Sequence, residues 1–285
     1  MAEARIPVDL FNPGQVFACI GFLEAADLLL GGAEGGFDWD DLGDVRFVLR
    51  AATATDPVQE VLEFLARAKL FSIAPRGSKL DTAKWQVPTA SAVGDDFPFP
   101  EPASPATLPA LLEDNCGRRI IIEHWGDATR RDAVKFWAGS NGYPGVALAR
   151  DALDIVRTGI AAAGTAAFDL PAPQSSSFRF DWRRDYVPLE VGFSPNAHAA
   201  MTMVGFPAVE LLAAIGLQHA RPTRLDRLTY RYAALGAAVP PALLRPALGG
   251  ALLPFPRRVF RIRLDWPGQE GQARCISHVT EEAQP

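Results

Sequence analysis

The chain has 285 residues, of which 48% are hydrophobic and 21% are charged, and its formal net charge is −5. This composition excludes a disordered or collagen-like chain, and the length suffices for one large domain or two modest ones. Uninterrupted apolar stretches such as Leu211–Leu217 are too short to cross a bilayer, and residues 1–5 lack the apolar core of a signal peptide. We therefore expect a soluble, cytoplasmic protein with no membrane partner.

Charge is segregated along the chain. Residues 1–114 contain 8 basic and 18 acidic side chains, whereas residues 217–274 contain 10 Arg and 3 acids. Arg accounts for 24 of the 28 basic residues, which a GC-rich genome alone can produce, although the guanidinium fork also suits phosphate and carboxylate. Codon bias does not explain the segregation, which indicates a polyanionic partner for the C-terminal part.

The first part of the chain, residues 1–93, has the element order strand–helix–strand–strand–helix–strand. This order is typical of a ferredoxin-like fold. We therefore predict an α+β protein with one or two ferredoxin-like (RRM-like) antiparallel sheet units and packed, buried helices. The predicted strands are Ile6–Phe11, Gly36–Trp39, Val45–Ala51 and a segment near Trp85–Val87. The predicted helices are Val16–Leu30, which follows the N-cap Asn12 and Pro13, and an amphipathic segment from Asp56–Pro57 to Leu70.

Residues 94–110 contain five prolines and no hydrophobic periodicity, which predicts a linker. It would separate an N-terminal ferredoxin-like unit at 1–93 from a basic α+β unit at 111–285. The strands predicted in the second unit are Arg118–Trp125, Ser177–Trp182, Arg224–Ala233, Arg257–Trp266 and Ala273–Val279. The helices predicted there are Val146–Ile160 and Val209–Leu217.

Two predicted helices, one in each unit, are similar in sequence. Each follows a proline, Pro13 or Pro207, and their alignment pairs Gly21 with Gly216. The few identities leave open whether the two units arose by duplication. Because glycine has no Cβ, we expect another backbone to approach each helix closely at these positions.

The sequence contains no familiar catalytic motif. It lacks a dinucleotide-binding fingerprint, a P-loop, a zinc-protease motif, a nucleophile elbow and an EF-hand. The four histidines, His124, His198, His219 and His278, are scattered, and the three cysteines form no CxxC pair. We therefore predict a protein that is not an enzyme and holds no metal or cofactor.

Arginines alternate with apolar residues in two predicted strands of the basic part. In Arg257–Trp266, period-two alternation places Phe260, Ile262 and Leu264 on one face and Arg257, Arg261 and Arg263 on the other. In Arg224–Ala233, Arg227 and Arg231 share a face, and Arg221 and Arg224 extend this edge. Such a face can follow a phosphate backbone. The alternative is a solvated face whose arginines protect the sheet from aggregation.

A glycine-rich aromatic loop over residues 135–145 is a second candidate. Such loops often approach a ligand, although the same composition also suits an ordinary turn. The predicted nucleic-acid contacts are Arg257, Arg261, Arg263, Arg227, Arg231, Lys135 and Trp137.

Four stretches, in order along residues 8–222, together resemble a known family. It is the Csb-type subunit, the third of the Csb series, of type I-G (formerly I-U) CRISPR operons. The stretches are VDLFNPGQVFACIGFLEAAD (8–27), KFWAG (135–139), FD with VGFSP (180–181 and 191–195), and PAVELLAAIGLQ (207–218) followed by Arg221–Pro222.

The resemblance implies a non-catalytic subunit of a Cascade-like effector complex in antiviral defence. Its expected partners are crRNA, target DNA or both, together with other type I-G subunits, and it carries over no catalytic residue. In RNA-guided systems the protein recognises the shape of the nucleic-acid backbone, and base pairing with the guide recognises the sequence. The acidic residues 1–114 would repel nucleic acid and instead face a basic neighbouring subunit.

Two alternatives remain open from the sequence. One is a protein–protein adaptor of the same complex whose arginines pair with carboxylates of a neighbour. The other is a crRNA-processing ribonuclease, since ferredoxin-like relatives can cleave RNA with His, Lys or Tyr as acid and base.

Overall fold

The computed structural model describes residues 1–73, 85–90, 108–124, 144–174, 176–183, 203–265 and 274–283. The helices in these ranges are α1 (Pro13–Leu30), α2 (Pro57–Arg67), α3 (Gly145–Val156), α4 (Ile160–Ala163), α5 (Pro207–Gly216) and α6 (Pro241–Leu248), with a 3₁₀ helix at Gly164–Asp169. The strands are β1 (Ala2–Pro7), β2 (Glu34–Asp38), β3 (Arg46–Ala51), β4 (Lys69–Ser72), β5 (Leu108–Glu113), β6 (Arg119–His124), β7 (Ala172–Pro173), β8 (Val204–Gly205), β9 (Thr223–Arg224), β10 (Thr229–Leu235), β11 (Arg257–Asp265) and β12 (Cys275–Glu282).

The described strands form antiparallel sheets, which confirms the predicted α+β class. Their orders are β1-β3-β2 (the first sheet), β4-β5-β6, β7-β8 and β12-β11-β10-β9 (the second sheet). The order β–α–β–β–α–β occurs twice, once from β1 to β4 and again from β8 to β11. The two copies differ in strand pairing, because β4 pairs with β5, whereas β11 pairs directly with β10.

Helix α1 lies in the centre of the hydrophobic core. The Asn12 side chain caps it as predicted, accepting a hydrogen bond from the N–H of Gly14 at 3.1 Å, and Pro13 occupies the first turn. Among the described helices α1 alone is long and apolar enough to cross a membrane, but 78% of it is buried inside the protein. Its all-round apolar surface is therefore that of a helix enclosed by protein.

Helices α1 and α5 pack against each other at the two aligned glycines. A Cβ on Gly21 would overlap the carbonyl oxygen of Leu212, and a Cβ on Gly216 would overlap that of Phe17. The expected close approach is thus confirmed, and each glycine accommodates the backbone of the other helix.

The first predicted strand is wrong in position, since β1 ends at Pro7. The Asp9 carboxylate accepts the backbone N–H of Phe11 at 2.8 Å, and the Asp9 carbonyl accepts that of Asn12 at 3.0 Å. These bonds turn the chain immediately before α1, so the segment predicted to continue as a strand to Phe11 is a turn.

The strand predicted near Trp85–Val87 is also wrong. Residues 85 and 86 form a turn, and among the residues described from 87 to 90 only Thr89 makes a bridge, an isolated one with Ser72. Pro88 follows the apolar segment and has no N–H to donate to a ladder, although its carbonyl accepts the N–H of Ser72 at 2.7 Å.

The predicted linker extends too far at its C-terminal end. Leu108–Ala110 belong to β5, which pairs with β4, while residues 94–107 lie outside the described residues. Apolar residues from both sides of the predicted boundary form one continuous core, from Ala4 to Ile276. Residues 1–93 and 111–285 therefore share this core.

Two helix predictions differ from the structure in extent. The helix predicted at Val146–Ile160 is divided into α3 and α4 by a turn at 157–159. The amphipathic helix ends at Arg67, so Leu70 lies in β4. The patterns do not predict α6, because Pro246 interrupts its eight residues.

The strand predicted at Ser177–Trp182 is wrong. Arg179 has a φ of 67°, a left-handed conformation that a strand does not accommodate, and its N–H donates to the Ser177 hydroxyl at 3.2 Å. Phe178 and Phe180 lie in the core with ring centroids 5.6 Å apart, but the alternation fails beyond them, because Asp181 is buried and Trp182 is exposed.

Candidate nucleic-acid interface

The second sheet carries the arginines that the sequence predicts as nucleic-acid contacts. On the inner face of β11, Phe260, Ile262 and Leu264 are fully buried. Arg261 and Arg263 alternate with them and are exposed. The predicted division of this strand into an apolar face and an arginine face is therefore confirmed from Phe260 to Asp265, whereas Arg257 is half-buried and Val259, on the same face, is buried.

Two of the predicted arginines share one carboxylate. Arg231 lies directly opposite Arg261 in the β10–β11 pairing. Glu282 of β12 approaches both: its Oε1 lies 2.7 Å from Nε of Arg261 and its Oε2 lies 3.3 Å from Nε of Arg231. This acid offsets repulsion between like charges on paired strands and partly neutralises the centre of the face.

The arginines at the start of β11 also have hydrogen-bond partners within the protein. Arg258 forms two hydrogen bonds of 2.7 Å with Glu281, and these bonds lower the pKa of that carboxyl. Arg257 is half-buried and donates to the carbonyl of Gly250 at 3.3 Å. This end of the strand is therefore less available to a polyanion than the sequence alone predicts.

The strand predicted at Arg224–Ala233 is interrupted. It consists of β9 and β10, separated by a turn at 225–228 in which the Asp226 carboxylate accepts the N–H of Leu228 at 2.8 Å. Arg227 is exposed in this turn, so the prediction that it shares a strand face with Arg231 is wrong.

The same turn gathers like charges, which we call the arginine cluster: Arg224, Arg227, Arg263 and Arg274. The guanidinium of Arg274 donates to the carbonyl of Arg227 at 3.1 Å, and that of Arg224 donates to the carbonyl of Asp226 at 2.9 Å. Burial is the main cause that lowers the pKa of the half-buried Arg274; Tyr230 acts against it, and the charges of Arg227 and Arg224 lower the pKa further. The guanidinium groups of the cluster carry charges of the same sign and therefore repel one another.

Asp226 is the carboxylate at the centre of the turn. Hydrogen bonds from the N–H of Leu228 and from Thr229 are the main reasons that its pKa is lowered, and the charge of Arg263 contributes. Its oxygens thus hold the turn together. Because Asp226 carries a single negative charge and is engaged by its own turn, it offsets only part of the charge of the guanidinium groups around it.

The sequence patterns do not identify Arg274 as a candidate contact. It lies within the predicted strand Ala273–Val279, and in the structure its guanidinium, just before β12, reaches the carbonyl of Arg227 across 47 residues of sequence. The excess of arginine over acidic residues within 217–274 is the sequence feature that indicates it.

The remaining predicted contacts, Lys135 and Trp137, lie outside the described residues. Within the described ranges, no group of three His, Cys, Asp or Glu side chains could hold a metal ion. Cys19, Cys116 and Cys275 are free thiols.

The comparisons with known proteins found no matching family model, no similar curated protein and no similar solved structure.

Proposed function

We propose that this chain is a non-catalytic subunit of a type I-G CRISPR effector complex that binds the backbone of crRNA or of its DNA target. The arginine cluster is the observation that carries this proposal. The four sequence stretches within residues 8–222 that resemble the Csb-type subunit support the assignment to this system.

The cluster has the electrostatics of an anion site. Gathering like charges around a half-buried guanidinium is unfavourable. Burial is the main cause of the lowered pKa of Arg274, and the charges of Arg227 and Arg224 lower it further. Phosphate groups would relieve this repulsion and accept charge-assisted hydrogen bonds from the guanidinium donors. Consecutive phosphates of a nucleic-acid backbone can bind several of these guanidinium groups at once, whereas a single small anion cannot.

Other subunits are the proposed partners of the N-terminal part. Residues 1–114 carry 18 acids against 8 basic residues, which favours contact with a basic protein surface. The chain would then bridge nucleic acid at one end and protein at the other.

Charge reversal tests the nucleic-acid interface directly. The double variant Arg224→Glu/Arg227→Glu should bind a labelled single-stranded RNA at least about tenfold more weakly, a change of about 1.4 kcal/mol. The salt dependence should flatten by about 0.7 in log–log slope for each phosphate that the variant no longer binds. Fluorescence anisotropy at several salt concentrations measures both.

The matched control is Arg46→Glu/Arg50→Glu in the first sheet, which changes the net charge equally. Arg46 and Arg50 pair with Asp44 and Glu3 at 2.7 and 2.8 Å. Equal losses in both double variants would reject the arginine cluster as the interface.

Purification with the products of the neighbouring genes tests the complex. Co-purification of other subunits with an RNA of guide length is expected, and nuclease should remove accessible RNA. A nucleic-acid-free complex that is unchanged by nuclease would instead support the adaptor function. A defined product from repeat RNA incubated without metal would support the ribonuclease.

A further inference from the structure

A cavity of about 180 Å³ lies at the β12 edge of the second sheet. Its two aromatic residues, Phe11 and Trp182, are 40% and 47% exposed. Two half-exposed aromatic side chains around one cavity leave apolar surface in water, which a ring-shaped ligand would cover. The lining residues are Phe11, Trp182, Ile276, Ser277, His278 and Val279.

Phe11 is held in place by an aromatic row that begins in the core. Phe17 contacts Tyr232 at 5.8 Å, Tyr232 stacks on Phe260 at 5.2 Å, and Phe260 meets the edge of Phe11 at 5.2 Å between ring centroids. The Tyr232 hydroxyl also donates to the carbonyl of Leu10 at 2.6 Å, which fixes the residue before Phe11.

Trp182 is exposed, but its backbone lies between two immobilised residues. Asp181 is 1% exposed; its carboxylate accepts a hydrogen bond from Asn12 at 2.9 Å, and its N–H donates to Glu210 at 3.0 Å. Arg183 donates to the Asp181 carboxylate at 2.7 Å. These contacts join the N-termini of α1 and α5. They also restrict the main chain on both sides of Trp182, so that the indole is held at the cavity.

The cavity borders the arginine cluster. His278, which lines the cavity, lies directly opposite Arg263 in the β11–β12 pairing. The neighbouring Ser277 hydroxyl donates to the carbonyl of Arg263 at 3.2 Å. A nucleotide strand that crosses β12 at this point would therefore meet guanidinium groups and aromatic rings within a short length.

The cavity is the right size for one planar ring. Pockets for drug-sized ligands occupy about 300 Å³ or more, whereas an apolar cavity of about 150 Å³ holds benzene. Indole and phenyl rings stack on the faces of nucleobases, and the His278 imidazole can donate or accept a hydrogen bond at a base edge.

We infer that this cavity takes one unpaired base of a single-stranded nucleic acid whose phosphates contact the arginine cluster. This inference rests on the proposed function and adds that the chain prefers single strands. A base within a duplex is stacked on both faces and cannot enter.

The test compares Trp182→Ala and Phe11→Ala with the wild-type chain. The probes are a single-stranded RNA, the same length of abasic strand, and a duplex of the same sequence. Each variant should bind the single-stranded RNA about tenfold more weakly, since one stacked base contributes about that factor. Trp182→Phe should restore most of the affinity because its ring still stacks. The control Phe255→Ala removes an aromatic side chain that is 37% exposed outside the cavity and should change binding by less than about twofold.

The abasic strand separates this inference from the proposed function. Variants of the cavity should leave abasic binding unchanged, whereas Arg224→Glu/Arg227→Glu should weaken it. Unchanged RNA binding in the folded Trp182→Ala and Phe11→Ala variants, or equal affinity of the wild type for duplex and single strand, would overturn the inference alone. A wild-type chain that binds none of the three probes would overturn the proposed function as well.

Discussion

The first and second sheets present their charged faces in opposite ways. In the first sheet, acids and bases alternate: Arg5 contacts both Glu3 and Asp38, at 3.0 and 2.9 Å, and Arg50 contacts Glu3 at 2.8 Å. In the second sheet, arginine lies opposite arginine across β10 and β11, and the carboxylates come from the edge strand β12. The same period-two alternation thus produces a neutralised face in one region and a positive face in the other.

This difference shows what distinguishes a solvated sheet face from a candidate binding face. Surface ion pairs within the first sheet contribute little to stability, but each of these guanidinium groups lies beside a carboxylate of the same sheet. The arginine cluster of the second sheet lies where the carboxylate of Asp226 is engaged by its own turn. Several like charges gathered at one site attract a ligand of opposite charge.

The largest expected effect is on stability and concerns the contact between α1, in the N-terminal part, and α5, in the C-terminal part. Gly21→Ala places a Cβ against the backbone of Leu212, which cannot move away as a flexible side chain could. We expect a loss of about 3 kcal/mol or more in the free energy of unfolding. Urea denaturation measures it. Gly159→Ala, which meets no atom within 4 Å, is the control and should change stability little.

A second prediction sharpens the contrast between the two faces. Glu282→Gln removes the carboxylate shared by Arg231 and Arg261, so the centre of the second sheet should become more positive. Single-stranded RNA should then bind a few-fold more tightly, and the salt dependence should steepen by up to about 0.7 in slope for each additional phosphate that is bound.

Glu3→Gln in the first sheet is the matched control, because Glu3 also joins two arginines. Anisotropy titrations should show no comparable gain. Equal tightening in both variants would mean that the two faces do not differ in function.

The smallest effect concerns acid stability of the first sheet. Hydrogen bonds from Arg50 and then Arg5 lower the pKa of Glu3 from its ordinary 4.5. A lowered folded-state pKa contributes stability that is present above the unfolded pKa and lost as the pH falls through the folded pKa. Glu3→Gln should therefore cost less than about 1 kcal/mol at pH 7 and progressively less below about pH 4. Thermal unfolding from pH 7 to 3 checks this; a constant difference between the two proteins would contradict it.

Much of the local structure could be predicted from sequence. The caps Asn12 and Asp56 begin α1 and α2 as expected, since a polar side chain before a proline satisfies nearby backbone N–H groups. Alternation also separates the buried and exposed residues of β11 from Phe260 to Asp265. These features depend on neighbours within a few residues. The strand errors at Asp9 and Arg179 have a local cause too, because side-chain hydrogen bonds to the main chain replaced the ladder.

The sequence by itself determined the α+β class, the two buried helices and the concentration of arginine in residues 217–274. It could not show which arginines would be neutralised, because Glu282 and Arg274 reach their partners through strand pairing across long stretches of sequence. Only the tertiary structure brought Trp182 beside Phe11 at the edge of β12. Alternation follows from the geometry of a single strand, whereas the neighbours of a side chain depend on register and turns that the whole fold selects.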